Sequence, residues 1–484
     1  MTRIPTARLV AGTLAGLILG ACASPSPPTP PDYDVVIAHG RVIDPESGLD
    51  AVRHLGIRDG VVRDVSASPL RGRETIDARG LVVAPGFIDL HQHAQDAAAY
   101  RVEALDGTTT AFELETGTAD VEGWYEARAG RSLINHGVAV GHQPVRMVVM
   151  KDPGRGTPTG AAARRAATAA ELAEITRRID DGLQQGAVGV GVLLGETPAA
   201  RPWEIVEVFR RAASHQASVH VHLRELEEPQ YFLETEEVIA LVAATGAAAH
   251  IVHVQSSAGE DTPLVLALLR GARARGLDVT TEAYPYAAGM TAIESAAFSD
   301  WVSWPDAKFA RFEWPPTGER LTRATFELYR RTGGLVVDHS NTEAVVRNAV
   351  ADPLVIIASD GLLAGGVGHP RVAGTFARVL GHYVREERAI TLMEALRKMT
   401  IEPARRLERR VPAMKRKGRI REGADADLVI FDPARVIDRA TYREPTLSPA
   451  GIQHVLVRGV AVVRDGTVRE DVLPGQPVRA LRQR

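Results

Sequence analysis

Hydrophobic and polar positions follow two different patterns along this 484-residue chain. From Tyr33, "YDVVIAHGRVIDPESGLDAVRHLGIRDGVVRDVS" places short β-branched runs between Gly, Asp-Pro and Asp-Gly breaks, the pattern of β-hairpins. The C-terminal end behaves alike, with "ADADLVIFDP" from Ala424 and "VLVRGVAVVRDGTV" from Val455. A small β domain is therefore expected from both ends of the chain, over 34–84 and 420–475.

The long middle, 85–419, alternates short apolar strands with Ala-, Arg- and Glu-rich helical stretches such as "TAAELAEITRRIDDGLQQG". Eight strand ends can be counted, near His93, Glu115, His142, Leu194, His222, His253, Tyr284 and Asp360. Eight βα repeats predict an α/β fold, a (β/α)8 TIM barrel, whose active site lies at the strand C-termini. Between Tyr286 and Asp360 lie 73 residues, too many for an ordinary loop, so a lid over about 287–350 is expected. It holds Trp301, Trp304 and Trp314. These either anchor the lid on barrel helices or turn a face to the pocket, favouring apolar acyl or side-chain groups.

The first 22 residues read as a targeting segment rather than as fold. Arg3 and Arg8 precede an apolar run of 11 residues, too short to span a bilayer, which ends in "LGAC". This stretch resembles the lipobox of bacterial lipoproteins, with Cys22 as the lipidated residue. A Pro-rich tether, 23–33, comes next. The resemblance implies a membrane partner through an N-terminal lipid anchor in the bacterial cell envelope, and Ala23 after the cysteine points to the outer membrane, facing the periplasm.

Composition narrows the function. A formal net charge of −3 with no basic block gives no electrostatic footprint for nucleic acid. Cys22 is the only cysteine, so after lipidation no thiol remains as ligand or nucleophile.

In "APGFIDLHQHAQD", from Ala84, an apolar strand ends in His91 and His93. Side chains alternate along a strand, so both imidazoles share one face and make half of a divalent-metal site. "SVHVHLRE" brings His222 to the fifth strand end, with His220 one step deeper, and "HIVHVQ" brings His253 to the sixth, with His250 as a neighbour. "PLVIIASDG" delivers Asp360 after the eighth strand, where a buried carboxylate calls for a cation or a proton.

This arrangement resembles the amidohydrolase superfamily. "TTEAYPYAAGMT" from Thr280, "SDGLLAGGVGHPRVAGTFARVLGHYVRE" from Ser359, "LRKMTIEPARRL" from Leu396 and "GHQPVR" from Gly141 resemble, within it, the N-acyl-D-amino-acid deacylases. The resemblance implies zinc, one or two ions, held by His91, His93, His222, His253 and Asp360. That family takes a further ligand, a cysteine, from the second strand. Here the strand reads "GTTTAFELETG", so Glu115 is the expected substitute and Glu113 the second choice. A carbamylated lysine on the fourth strand, used by other amidohydrolases, has no counterpart, because no lysine lies between Asp152 and His222.

The resemblance further implies a small-molecule substrate with a carboxylate, gripped by Arg371 and by Tyr284 or Tyr286. Gln255 stands where the family has a lysine, and Thr197 where a tyrosine is usual. The expected reaction is zinc-dependent hydrolysis of N-acyl amino acids, D-configured ones first, with Asp360 moving the proton. The alternatives are a dipeptidase or N-acyl-L-amino-acid amidase of the same superfamily, and a non-catalytic metal- or ligand-binding lipoprotein.

Overall fold

The computed structural model describes residues 1–7, 32–224 and 230–482. Residues 1–7, in a unit spanning Met1–Pro31, form neither helix nor strand; the elements among the described residues all belong to the second unit, Asp32–Arg484. Cys22 and most of the Pro-rich tether lie outside the described residues. None of the described helices is long and apolar enough to cross a membrane.

Eight parallel strands form the barrel. First to eighth they are Phe87–Asp89, Thr108–Thr118, Asn135–Gly141, Val190–Leu193, Ser218–His222, Ala248–Ile251, Val279–Ala283 and Val355–Ile357, each paired with the next. The seam between the eighth and the first is closed by a parallel bridge between Gln92 and Gly361. Valines drive the wall: Val138, Val140, Val190, Val192, Val219 and Val221 are all buried. Behind them pack Ile175, Ile179 and Leu183 of the helix Ala169–Gln184, and Ile205, Val208 and Phe209 of Pro202–Ser214. Burying each such side chain contributes roughly 1.5–3 kcal/mol. Thr168 and Glu171 start the first of these helices with a capping box, satisfying its free N–H groups.

The two chain ends meet in one nine-stranded sheet. Five strands come from Tyr33–Pro85 and four from Leu428–Val468, joined where Val82–Pro85 pairs antiparallel with Leu428–Phe431. Pro85 then leads directly into the first barrel strand, so the sheet fixes where the metal-binding strand begins.

The long insert after the seventh strand is a small body of its own. Its sheet comprises Gly289–Ala292, Leu335–Asp338, Phe312–Trp314 and Glu319–Arg320. Trp304 packs with Phe298, Phe309, Phe312 and Phe326 in a separate aromatic core, Trp301 joins its edge, and Trp314 stacks on Tyr329 at 4.2 Å between centroids. The tryptophans therefore pack within the insert's own core rather than against barrel helices. The expected lid boundary near 350 moves inward, since the helix Glu343–Ala351 buries Val346, Ala349 and Val350 with the barrel. The insert docks at the mouth: Ser295 donates to the buried Glu196 of the fourth-strand loop at 2.5 Å.

Candidate metal centre

The first strand ends at Asp89, and the chain turns so that His91 and His93 bring their Nε2 atoms to 3.1 Å from each other. The turn is held from below, where Asp89 accepts from the N–H groups of His91 and Ser359 at 3.1 and 3.0 Å.

Glu113 and Glu115 separate because the second strand bulges. Glu113 pairs with Val138, yet Thr118 pairs with Val140, so the intervening residues arch over the mouth. Glu113 stabilises the arch, one oxygen accepting from the N–H groups of Thr116 and Gly117 at 3.0 and 3.3 Å. Its other oxygen takes His93 Nδ1 at 2.8 Å. Glu115 is carried inward, and its backbone is so close to the fourth strand that a Cβ on Gly191 would collide with its carbonyl oxygen.

Glu115 Oε2 lies 3.3 Å from Nε2 of both His91 and His93. Asp360 Oδ1 lies 3.4 and 3.3 Å from the same two atoms. Ligand atoms about 2.0–2.1 Å from a tetrahedral zinc stand about 3.3 Å apart. These five distances lie near that figure, so His91, His93 and Glu115 suit zinc in chemistry and spacing, with Asp360 beside both imidazoles. The other oxygen of Glu115 lies 3.2 Å from His253 Nε2, and Glu115, His222 and His253 form a second three-ligand group. Glu115 thus belongs to both groups and can bridge two ions, whereas Glu113 orients His93 from behind. His222 Nδ1 meets the Leu223 carbonyl at 2.6 Å, which leaves Nε2 for a metal. Gly195 makes room beside it, since a Cβ there would stand 3.0 Å from His222 Cε1.

Two site residues occupy left-handed backbone, His253 at φ 31° and Asp360 at φ 50°. Each costs on the order of 1–3 kcal/mol, a strain typical of residues aimed into a site. Burial opposes charge on His91 and His93, but the carboxylates around them outweigh it and raise both imidazoles well above the ordinary histidine range. A divalent cation answers the same negative field. Burial also pushes Asp360 up, yet Arg371, His91, His93 and His253 pull its pKa down to about 2.

The anchor residues divide. Arg371, 1% exposed, lies over the Tyr284 ring at 4.4 Å, with Nη1 2.9 Å from Asp360 Oδ2. That approach is not an aligned hydrogen bond, and Nε also has no partner among the described residues. A buried guanidinium with donors to spare is suited to a carboxylate. Tyr284 faces His253, ring centroids 6.3 Å apart. Tyr286 instead donates to Asp438 at 3.1 Å, under Arg378, and Gln255 spends its amide on the Tyr284 carbonyl at 3.2 Å. His142, counted among the strand ends, is a structural lock: with Arg146 it grips the buried Glu204, joining two helices. Thr197 closes its own turn by donating to the Leu193 carbonyl at 3.0 Å.

Two buried residues at the site lie beyond the set expected from the sequence. Glu282 holds His91 Nδ1 at 2.5 Å, and period-two spacing from Tyr284 was the available signal. Glu196, beside Ser295, is raised to about 7 by burial; no pattern in "LLGETPAA" marks it.

The pattern of the Amidohydrolase family matches residues 74–148 and 141–463. An N-acyl-D-glutamate deacylase of Alcaligenes xylosoxydans xylosoxydans is 33% identical over 481 residues, covering 89% of this chain and 93% of that protein. A D-aminoacylase of the same organism is 29% identical over 482 residues, with 89% and 94% covered. Among solved structures, an N-acyl-D-glutamate deacylase from Bordetella bronchiseptica, complexed with zinc and a phosphonate mimic of the tetrahedral intermediate, superposes with a TM-score of 0.80. It is 29% identical and covers 93% of this chain and all of that one.

Proposed function

Because this chain belongs to the amidohydrolase family, we propose that it hydrolyses the amide bond of N-acyl-D-amino acids at a zinc centre held by His91, His93, Glu115, His222, His253 and Asp360. The observation that carries the reading is the convergence of Glu115 and Asp360 on His91 Nε2 and His93 Nε2 at 3.3–3.4 Å, with Arg371 on the far oxygen of Asp360. Deacylases of N-acyl-D-glutamate and N-acyl-D-aspartate, and a D-aminoacylase, are among its relatives.

Zinc bound there supplies Lewis acidity, polarising a carbonyl and lowering the pKa of water from about 15.7 to about 7. The protein supplies the rest. Arg371, with Tyr284 beneath it, takes the substrate carboxylate and so fixes the scissile amide relative to Asp360. Asp360 accepts the proton of the attacking water and delivers it to the departing amine. The insert, seated on Glu196, covers the mouth and limits bulk water.

The test is kcat/KM on matched N-acetyl-D- and N-acetyl-L-amino acids of leucine, methionine, phenylalanine, aspartate and glutamate. The D-series is expected to lead by at least about tenfold, a difference of about 1.4 kcal/mol in barrier. Preference for the L-series would turn the reading toward an L-amidase. With the tryptophans committed to the insert's core, they give no ground for expecting apolar side chains to be favoured.

We also propose that the mature chain is lipid-anchored through Cys22. "LGAC" after an apolar run supports this. In a bacterial host, the wild type should partition into detergent and take up a fatty-acid label, while Cys22→Ser should do neither. Unlabelled wild type would count against the anchor.

A further inference from the structure

A (β/α)8 barrel is ordinarily filled with branched apolar side chains. Here buried polar ones stand inside it, among them His91, His220, His250 and Glu282. Three of these, His91, His250 and Glu282, form with Thr280 and Arg406 one continuous series of hydrogen bonds running away from the metal centre.

Its order can be followed from the far end. Arg406 is paired through two nitrogens with Asp278 at 2.7 and 3.0 Å, and Nη1 also donates to Thr280 Oγ1 at 3.2 Å. A guanidinium carries only donors, so the hydroxyl oxygen must accept. The Thr280 hydroxyl hydrogen is then free for its nearest acceptor, His250 Nδ1 at 2.7 Å, against 3.4 Å to the Ala249 carbonyl. An imidazole that accepts at Nδ1 carries its proton at Nε2. That N–H points at Glu282 Oε2, 2.8 Å away. The carboxylate accepts through both oxygens, and Oε1 receives His91 Nδ1 at 2.5 Å. With a metal in place of the Nε2 proton, His91 would hold its remaining proton at Nδ1 and turn its Nε2 lone pair toward the side shared with His93, Glu115 and Asp360.

We propose that Glu282 is the positioning residue that makes His91 a metal ligand, and that the tautomer is set along His250 and Thr280 from Arg406. Glu282 touches neither metal nor substrate. It acts through one imidazole, as the outer carboxylate of a histidine ligand does, and losing such a partner typically costs about 10- to 100-fold in metal affinity. The effect is local. His222 is oriented by the Leu223 carbonyl and His93 by Glu113, so neither depends on this series. The ion's identity rests on the proposed zinc centre, whereas the choice of substrate does not enter.

The test uses the full-length protein, stripped of metal and titrated with cobalt(II). Visible absorption and competition with a chelator of known affinity give the strength of each site, independently of turnover. Glu282→Leu, which removes both acceptors, should weaken one cobalt equivalent about 10- to 100-fold while the other stays within about twofold of wild type. Glu282→Gln keeps an acceptor for His91 and should recover much of the loss. Thr280→Val, remote from the metal, should weaken the same equivalent by a smaller factor. Should the leucine variant fail to fold, the glutamine and valine variants decide. Affinities within twofold of wild type in all folded variants, or equal weakening of both equivalents, would overturn the proposal. A wild type that binds no cobalt would overturn the metal centre along with it.

Discussion

Asp360→Asn is expected to leave a folded protein with most of its zinc and a kcat lowered by about 10²–10⁴, the range of general acid–base catalysis. Asparagine keeps the shape of the side chain and an oxygen near His91 and His93, but a carboxamide cannot carry a proton from water to amine. The wild-type carboxylate is placed for both halves of that task. Oδ1 faces the two imidazoles at 3.4 and 3.3 Å, while Oδ2 lies 2.9 Å from the arginine that orients the substrate. Its strained backbone at φ 50° keeps it there. The check is steady-state kinetics beside metal analysis and a thermal melt. Activity within tenfold of wild type, about 1.4 kcal/mol, with intact fold and metal would remove the proton transfer from Asp360.

The second large effect concerns Glu115. Glu115→Ala should release metal from both ligand groups at once, because the carboxylate belongs to each. Activity should then fall at least as far as in Asp360→Asn. Glu113→Gln should be milder, in the range of about 10- to 100-fold, since it only orients His93 and props the arch. Bound zinc per chain, measured by elemental analysis after dialysis, separates the two. If the Glu113 variant lost its metal while the Glu115 variant kept it, the ligand assignment would be reversed.

The contrast between these two glutamates shows where a sequence stops being informative. Alternation along a strand places Glu113 and Glu115 on one face, just as it places His91 and His93 together, and for the histidines that was enough. The glutamates are distinguished by the arch between Glu113 and Thr118, a matter of register against a neighbouring strand. Tyr284 and Tyr286 pose the same problem. They share a face in the sequence, and only Asp438, 152 residues away, draws Tyr286 aside. The barrel and the pairing of the chain ends were legible because they follow from periodicity and turn residues repeated many times. His142 stands at one of the counted strand ends, yet its imidazole serves Glu204, which no local pattern announces. The tryptophans misled for a related reason: a cluster of aromatics signals a core, but not whose core.

The joint between the chain ends bears on how the molecule is made. Pro85 and Ala84 stand in antiparallel register with Leu428 and Val429, partners more than three hundred residues apart. A nascent chain emerging from the ribosome thus holds an apolar strand, Val82–Pro85, that pairs on one side with Tyr33–Asp44 but must wait for synthesis to reach Leu428 before its second neighbour exists. Pairings of such separation are slow to form, and an unpaired edge of this kind is a template for aggregation in the interval. Synthesis that stopped before Leu428 would leave that edge permanently open, immediately upstream of the strand that carries His91 and His93. Pairing of the two chain ends is therefore what closes the sheet edge next to the metal-binding strand.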